Sequence, residues 1–254
     1  MKTSLRLLLI AFIVIIVGII IILSVIKSNL YKENFDDYVE DYGETTEQIR
    51  ELDEFSSINA KYGIEVIIIQ DTFQMVKVIT DELEEKDIVT RVDHEVLYVY
   101  SNYKHKNRSK LRNRNKVYVT IKNINDIKAY KGTLIKTQGL LKGKKINFEF
   151  NDGAIGVFEV NLEELDASLN AGAILNIEGE IENVSFNVVA GGIVKAHGLK
   201  CINLDIKASA GGIINAGEAD FINIKANSGA IVKYNEESKI GEIDISSGAQ
   251  VMKY

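Results

Sequence analysis

One motif of four mostly small side chains occurs six times in the C-terminal part of this 254-residue chain. It occupies residues 151–154, 170–173, 189–192, 209–212, 227–230 and 246–249. Its third residue is always a glycine: Gly153, Gly172, Gly191, Gly211, Gly229 and Gly248. Successive glycines are separated by 19, 19, 20, 18 and 19 residues. A period this constant is typical of repeat architectures, in which one structural unit stacks on the next.

The residues before each glycine alternate between apolar and polar side chains. Apolar residues stand seven, five and three positions before it, as Ile146, Phe148 and Phe150 do before Gly153, and the pattern continues to Ile243 and Ile245 in the last repeat. A two-residue period predicts a strand with one buried face. Three positions after each of the last five glycines stands another apolar residue, from Leu175 to Val251, which predicts a second, short strand after the turn.

Repeats of about 19 residues built from such strands predict an all-β fold, a right-handed parallel β-helix with coils about 4.8 Å apart. The small residues would form one column of sharp bends, where glycine tolerates the required dihedral angles. A sandwich of regularly spaced hairpins is the alternative, but it does not explain why the same position is small every time. We expect regular coils over 145–254, preceded over 55–144 by irregular first coils and a cap. In that part, residues 64–69, 75–79, 96–100 and 117–121 have the pattern of strands.

Residues 7–26 are an unbroken apolar run. Twenty residues of helix span about 30 Å, the thickness of a bilayer core. The run is longer than the apolar part of a cleaved signal peptide, and no small-residue cleavage site follows it. We therefore predict one transmembrane α-helix that remains as a signal anchor after a short cytoplasmic tail at 1–6. Basic residues on its two sides are nearly balanced, and we favour a cytoplasmic N-terminus with the domain outside the membrane.

Residues 27–54 are rich in acidic side chains and predict a solvated linker that self-repulsion keeps extended. A calcium site is the alternative, but the acids lack EF-hand spacing. The whole chain has a net charge of −6, which argues against a dedicated nucleic-acid-binding protein. Its single cysteine, Cys201, excludes an internal disulfide and is interpreted as a small apolar residue.

The chain resembles the head GIN family of bacterial envelope proteins over residues 47–254. The resemblance rests on the opening segments 46–52, 55–58 and 63–68, on 97–100, on 117–120 leading to Gly132, and on the small-residue turns. It implies a right-handed β-helix on the outer side of a membrane and a role labelled as adhesion, and it transfers no catalytic residue. Two features depart from the family: this chain has no proline, and isoleucine occupies a position that is usually polar.

A run of basic residues is the first candidate binding site. Seven of them fall on every second position: Lys104, Lys106, Arg108, Lys110, Arg112, Arg114 and Lys116. In an extended segment they all point the same way and could hold an anionic polymer or lipid headgroups. The alternative is a solvated loop whose charges discourage edge pairing between strands.

A column of isoleucines is the second candidate. One isoleucine stands two residues after each of the first five glycines: Ile155, Ile174, Ile193, Ile213 and Ile231. If the strand alternation continues through the glycine, these side chains point outward and form an apolar contact surface for a partner. If the turn breaks the alternation, they are tucked into a corner of the core.

Nothing in the sequence indicates an enzyme, a cofactor or a metal site. The three histidines, His94, His105 and His197, have no nucleophile or metal-ligand spacing near them. We therefore predict a membrane-anchored, extracytoplasmic binding or adhesion domain whose partners are envelope polymers, another protein or copies of itself. An envelope-stress or signalling accessory that docks on a membrane protein is one alternative, and a self-assembling envelope scaffold is another.

Overall fold

The computed structural model describes residues 45–82, 85–102 and 115–254. In these ranges the chain is almost entirely β-structure, apart from one short 3-10 helix at Glu85–Asp87. The strands are β1 (Thr45–Arg50), β2 (Ser57–Lys61), β3 (Glu65–Gln70), β4 (Met75–Asp81), β5 (Ile88–Asp93), β6 (Val96–Ser101), β7 (Lys116–Ile121), β8 (Asp126–Tyr130), β9 (Leu134–Thr137), β10 (Leu141–Phe150), β11 (Ile155–Leu169), β12 (Ile174–Val188), β13 (Ile193–Ala208), β14 (Ile213–Asn215), β15 (Glu218–Ala226), β16 (Ile231–Tyr234), β17 (Lys239–Ile245) and β18 (Gln250–Lys253).

The repeats form a parallel β-solenoid of about seven turns with about 19 residues in each. Equivalent residues of successive repeats are register partners, so Ile146 of β10 pairs with Leu165 of β11, which pairs with Val184 of β12. All these neighbouring strands run parallel, which confirms the predicted solenoid and excludes the hairpin sandwich. The apolar positions of the alternation fill the interior, where Ile146, Phe150 and Leu165 have no measurable exposure.

Each small-residue motif closes one coil with two consecutive residues in the left-handed region. In the second motif these are Ala171 (φ 49°) and Gly172 (φ 72°), and the same pair of positive φ angles recurs in the other five motifs. The Ala173 amide donates to the Asn170 carbonyl at 3.2 Å, as expected for a type I′ turn. The fourth residue is small because its side chain is buried: Ala154, Ala173 and Ala230 have no exposure. The six predicted turn glycines therefore all lie in turns.

The solenoid has two broad outer surfaces, the leading face and the trailing face. The leading face is the outer surface of the strands that precede the turns, namely β6, β2, β8, the ends of β10 to β13, β15 and β17. The trailing face is the outer surface of the strands that follow the turns, namely β7, β3, β9, the starts of β11 to β13, β14, β16 and β18. Because the turns stack in one column, each face is a continuous parallel sheet along the solenoid.

The N-terminal end of the stack is built out of chain order. Strand β2 pairs in parallel with both β6 and β8, and β3 pairs with both β7 and β9. The first coil in the sequence is therefore the second in the stack, and β6 with β7 forms the outermost described coil. Antiparallel strands β5, β4 and β1 extend this end through the pairs β5–β6, β4–β7 and β1–β4. These three strands cover the N-terminal end of the stack, and of the three only β4 coincides with a predicted strand.

The predicted linker at 27–54 has to be corrected at its C-terminal side. Residues Thr45–Arg50 form β1 and pair antiparallel with β4 over the whole strand. Their backbone pairs with the edge of β4, and Thr46, Gln48 and Arg50 are partly covered while Ile49 stays exposed. The tail at 1–6, the predicted transmembrane anchor at 7–26 and the rest of the linker lie outside the described residues. Among the residues that are described, no helix is long and apolar enough to span a bilayer.

In the last coil, two residues that the alternation predicts to be buried are exposed. Ile243 and Ile245 occupy the positions that are buried in every preceding coil, yet they are 36% and 47% exposed. Their register partners in β15, Ile224 and Ala226, are 0% and 2% exposed. The difference arises because β17 pairs with β15 on one side, and no described strand pairs with its other side.

Candidate functional site

The basic segment connects β6 to β7, the two strands of the outermost described coil. Six of its seven basic residues, Lys104, Lys106, Arg108, Lys110, Arg112 and Arg114, lie outside the described residues, and Lys116 begins β7. The chain leaves the described part after Asn102 and returns at Asn115. In the neighbouring coil the corresponding junction, between β2 and β3, is the tight turn at Tyr62 and Gly63. The basic segment is thus an insertion at one position of the turn column.

A cluster of tyrosines and cations lies at the turn edge of the leading face, beside this insertion. We call it the tyrosine–cation patch and define it as Lys61, Tyr62, Arg91, Tyr98, Tyr100 and Lys131. The Lys61 ammonium lies 5.5 Å from the Tyr62 ring centroid and 5.2 Å from that of Tyr100. The Lys131 ammonium lies 5.4 Å from the same Tyr62 ring. Two ammonium groups therefore share one aromatic ring, an arrangement in which each cation–π contact is worth about 0.5–1 kcal/mol.

The charges of the patch are only partly balanced. The Arg91 guanidinium stacks 4.4 Å from the Tyr98 ring centroid and pairs with Asp93 at 3.5 Å. Within the described part of the chain, neither Lys61 nor Lys131 has a carboxylate at ion-pair distance. Two like charges held beside one ring repel each other, so an anionic group placed between them would be favoured.

Next to the patch, Tyr130, Glu149 and Lys128 form a hydrogen-bonded group. The Tyr130 hydroxyl donates to Glu149 Oε1 at 2.6 Å, and Lys128 pairs with the other carboxylate oxygen at 3.0 Å. The hydrogen bond from Tyr130 and the Lys128 charge hold the pKa of Glu149 below its usual value. Burial and the same carboxylate raise the pKa of Tyr130. The group fixes the Tyr130 ring at the border of the patch.

A ladder of polar side chains continues along the leading face. It consists of register partners in successive coils, Asp126, Asn147, Asp166, Ser185, Asp205 and Asn223. The Asn147 amide donates to Asp126 at 3.0 Å, and the Asn223 amide donates to Asp205 at 2.8 Å. Carboxylates alternate with neutral groups here, so the nearest carboxylates in the ladder are two coils apart. Such a ladder presents hydrogen-bond donors and acceptors to solvent at the spacing of the strands.

The isoleucine column lies on the trailing face. Its five residues, Ile155, Ile174, Ile193, Ile213 and Ile231, are register partners in successive coils. Each points away from the core between two buried neighbours, as Ile174 does between Ala173 and Leu175. Each is nevertheless half-buried, because it stacks on the isoleucines of the adjacent coils. The column is a narrow apolar strip on the outer surface and not part of the core.

The remaining titratable residues are dispersed. His94 lies in the β5–β6 turn beside Asp93, and His197 packs edge-on against Tyr254 at 5.4 Å. Burial raises the pKa of the Cys201 thiol to about 12. Among residues 45–82, 85–102 and 115–254, no group of three or more His, Cys, Asp or Glu side chains is arranged to hold a metal ion.

Sequence reasoning did not find the tyrosine–cation patch. The β5–β6 hairpin brings Arg91 next to Tyr98. Lys61, Tyr98 and Lys131 are distant in the chain, and the pairing of β2 with both β6 and β8 brings them together. The one local signal was the alternation of Tyr98 and Tyr100 within a single strand.

Residues 54–237 match the family model described as "Putative auto-transporter adhesin, head GIN domain". No curated protein matches the chain. Among solved structures, a "putative adhesin" from Bacteroides fragilis has a TM-score of 0.71 at 14% identity and aligns over 83% of this chain and 96% of its own. A "putative lipid binding protein" from Parabacteroides distasonis has a TM-score of 0.67 at 14% identity, over 84% and 97%. A "putative adhesin" from Parabacteroides merdae has a TM-score of 0.61 at 16% identity, over 84% and 97%. At these identities the similarity establishes the fold.

Proposed function

We propose that this protein is a non-catalytic binding head for anionic surfaces of the cell envelope. The chain belongs to the head GIN domain family, whose description as a putative adhesin supports a binding role. The single observation that carries the proposal is the pair of lysines, Lys61 and Lys131, that share the Tyr62 ring without a carboxylate partner in the described part of the chain. Their two positive charges would attract an anionic group on a polymer or a lipid headgroup.

The basic segment adds to this proposal through its position. The segment that connects β6 to β7 contains Lys104, Lys106, Arg108, Lys110, Arg112 and Arg114, and in the neighbouring coil the turn at Tyr62 connects β2 to β3. Near an anionic membrane each such cation adds about 1 kcal/mol of attraction. The strands that flank this segment, β6 and β7, pair with β2 and β3 of the coil that carries Lys61 and Tyr62, which supports one binding surface at this end of the solenoid.

We further propose that residues 7–26 anchor the protein in the membrane, with the N-terminus inside and the right-handed solenoid outside. The length of the apolar run supports a spanning helix. The handedness follows from the general preference for right-handed crossovers between parallel strands. The isoleucine column, as an outward apolar strip, is a second surface at which a protein partner could dock.

The proposal is tested by cosedimentation of residues 43–254, the compact unit, with vesicles and with cell-envelope fractions. One set of vesicles is neutral and another contains about one-third anionic lipid. The variant Lys61→Gln with Lys131→Gln removes the two patch charges. At about 1 kcal/mol for each cation, its affinity for anionic vesicles is expected to fall roughly 30-fold. The affinity should also fall with added salt.

A matched control has the same net charge as the patch variant. Lys195→Gln with Lys233→Gln removes two exposed lysines of the trailing face and should bind anionic vesicles like the parent protein. A third variant has glutamine at all seven basic positions from 104 to 116, and its loss of affinity for anionic vesicles measures the contribution of that segment. Equal loss in the control and the patch variant would mean that only net charge matters. No binding by the parent to any anionic surface would contradict the proposal and direct mutagenesis to the isoleucine column.

A further inference from the structure

The C-terminal end of the solenoid exposes residues of a kind that the rest of the fold buries. Ile240, Ile243 and Ile245 of β17 are 43%, 36% and 47% exposed. Their register partners in β15 are Ile222, Ile224 and Ala226, none of which exceeds 2% exposure. These three isoleucines have the orientation of core residues, and no described coil covers them.

The edge of β17 also leaves its backbone groups available. Among the described strands, β17 pairs only with β15. A bulge interrupts the register where Gly241 and Glu242 stand opposite Asn223. The Glu242 amide donates to Asn223 Oδ1 at 2.9 Å, and a Cβ at Gly241 would come within 2.3 Å of that oxygen. The bulge divides β17 into two short segments on either side of Gly241 and Glu242.

The two segments are complementary to each other in an antiparallel arrangement. If two copies of β17 meet about a two-fold axis between Gly241 and Glu242, Lys239 stands opposite Asp244 of the other copy. In the same arrangement Ile240 stands opposite Ile243 of the other copy. Both pairs occur twice because of the symmetry, and the bulges of the two copies coincide at the axis. Moving the axis to Asp244 would place the two Asp244 carboxylates face to face, which like-charge repulsion disfavours.

We propose that the end formed by β17 is a self-association surface and that its partner is a second copy of this chain, joined tail to tail in this register. The contact is isologous, so it closes as a two-fold dimer and does not propagate into a filament. Each copy covers the exposed isoleucines of the other. The pairing joins one short strand of each copy, so we expect a weak dimer that dissociates in the micromolar range.

The test is a charge-reversal cycle on the full chain in a density-matched detergent, followed by sedimentation equilibrium from about 1 µM to 1 mM. The parent protein should show a reversible monomer–dimer equilibrium with no larger species. Lys239→Glu and Asp244→Lys should each weaken the dimer at least tenfold, because each creates two like-charge contacts. The double variant should return to within about threefold of the parent, since the ion pairs are re-formed with reversed polarity.

Two controls separate the surface from general effects. Lys207→Glu reverses a leading-face charge in β13 and should leave the dimer unchanged. Circular dichroism melting of each variant checks that the protein stays folded. The variant Ile243→Lys removes the apolar contact and should be a monomer. A parent protein that is monomeric at 1 mM overturns the proposal. So does a double variant as weak as the single ones, because the restored charge pairs would then not face each other.

Discussion

At the scale of single residues, the fold depends on backbone conformations that most side chains avoid. The turn column places Asp152, Ala171 and Ser228 at φ near 50°, each followed by a glycine at φ above 70°. Repeated motifs in the sequence revealed these turns. Gly179 in β12 is a different case, because its φ of 118° lies outside any motif and its neighbours are backbone atoms.

Gly179→Ala should therefore destabilise the protein strongly. A Cβ at this position would come within 1.9 Å of the Val160 carbonyl oxygen, which belongs to the adjacent strand and cannot move aside. We expect a loss of more than about 3 kcal/mol in the free energy of unfolding, measured by urea titration. Gly172→Ala is the matched control, since its Cβ would point into open space, and it should lose only about 1–2 kcal/mol. Similar losses in both variants would contradict the steric explanation.

Glu149 should make stability depend on acid pH. Its pKa is depressed in the folded protein by the Tyr130 hydrogen bond and by Lys128, whereas an unfolded glutamate titrates near 4.3. The stabilisation is complete above about pH 4.3 and is lost as the pH falls through the depressed folded pKa. Because the carboxylate is partly exposed, we expect it to be worth about 1 kcal/mol or less. Urea unfolding at pH 6 and pH 3 should show a smaller acid loss for Glu149→Gln than for the parent. The exposed Glu163→Gln should match the parent.

At the scale of strands and coils, the sequence predicts what is local and repeated. The alternation around Phe148 and the turn positions were readable, since each follows from a period of two or of 19 residues. The isoleucine column was readable only as a repeat, because its direction depends on whether the turn breaks the strand alternation, which the sequence left open. The order in which the strands of the N-terminal end pair could not be predicted in the same way. The four expected strands exist, but nothing local shows that β2 lies between β6 and β8, or that Thr45–Arg50 pairs with β4. The tyrosine–cation patch depends on those long-range pairings and was missed with them.

The first regular coils are held by a cluster of three phenylalanines, and this element can be tested. The Phe158 ring centroid lies 4.5 Å from that of Phe148 and 6.0 Å from that of Phe150, and all three are buried. Phe158→Ala leaves a cavity between two coils and should reduce the free energy of unfolding by about 3–5 kcal/mol. Phe73→Ala, at a 49% exposed position in the cap, should change it by less than about 1 kcal/mol. Thermal melting would show comparable midpoints for both variants if the cluster were unimportant.

At the scale of the whole molecule, the two ends of the stack differ. Each regular coil contacts mainly its neighbours, so a solenoid frays from its ends. The N-terminal end is covered by antiparallel strands, and its first coil is enclosed by later parts of the chain. The C-terminal end has one coil of exposed core residues and an unpaired strand edge in the described structure.

Hydrogen exchange should therefore be asymmetric along the stack. Amides of β17 and β18 should exchange first, those of β2 and β3 much later, and those of β11 and β12 last, because the last group lies in the middle of the solenoid. The measurement is deuterium uptake by mass spectrometry below about 1 µM, where the dimer proposed above is dissociated. Equal protection of β17 and β12 at that concentration would contradict the expected order.

The strict register between coils has a consequence for how such a protein changes over evolutionary time. Ile174 and Ile193 are register partners, and each follows the last residue of a turn motif. Deleting residues 174–192 would join Ala173 to Ile193 and remove one complete coil, while leaving the cap, the remaining turns and the last coil unaltered. A duplication would have the opposite effect. The length of the domain can therefore change in steps of about 4.8 Å, one step for each repeat that is gained or lost.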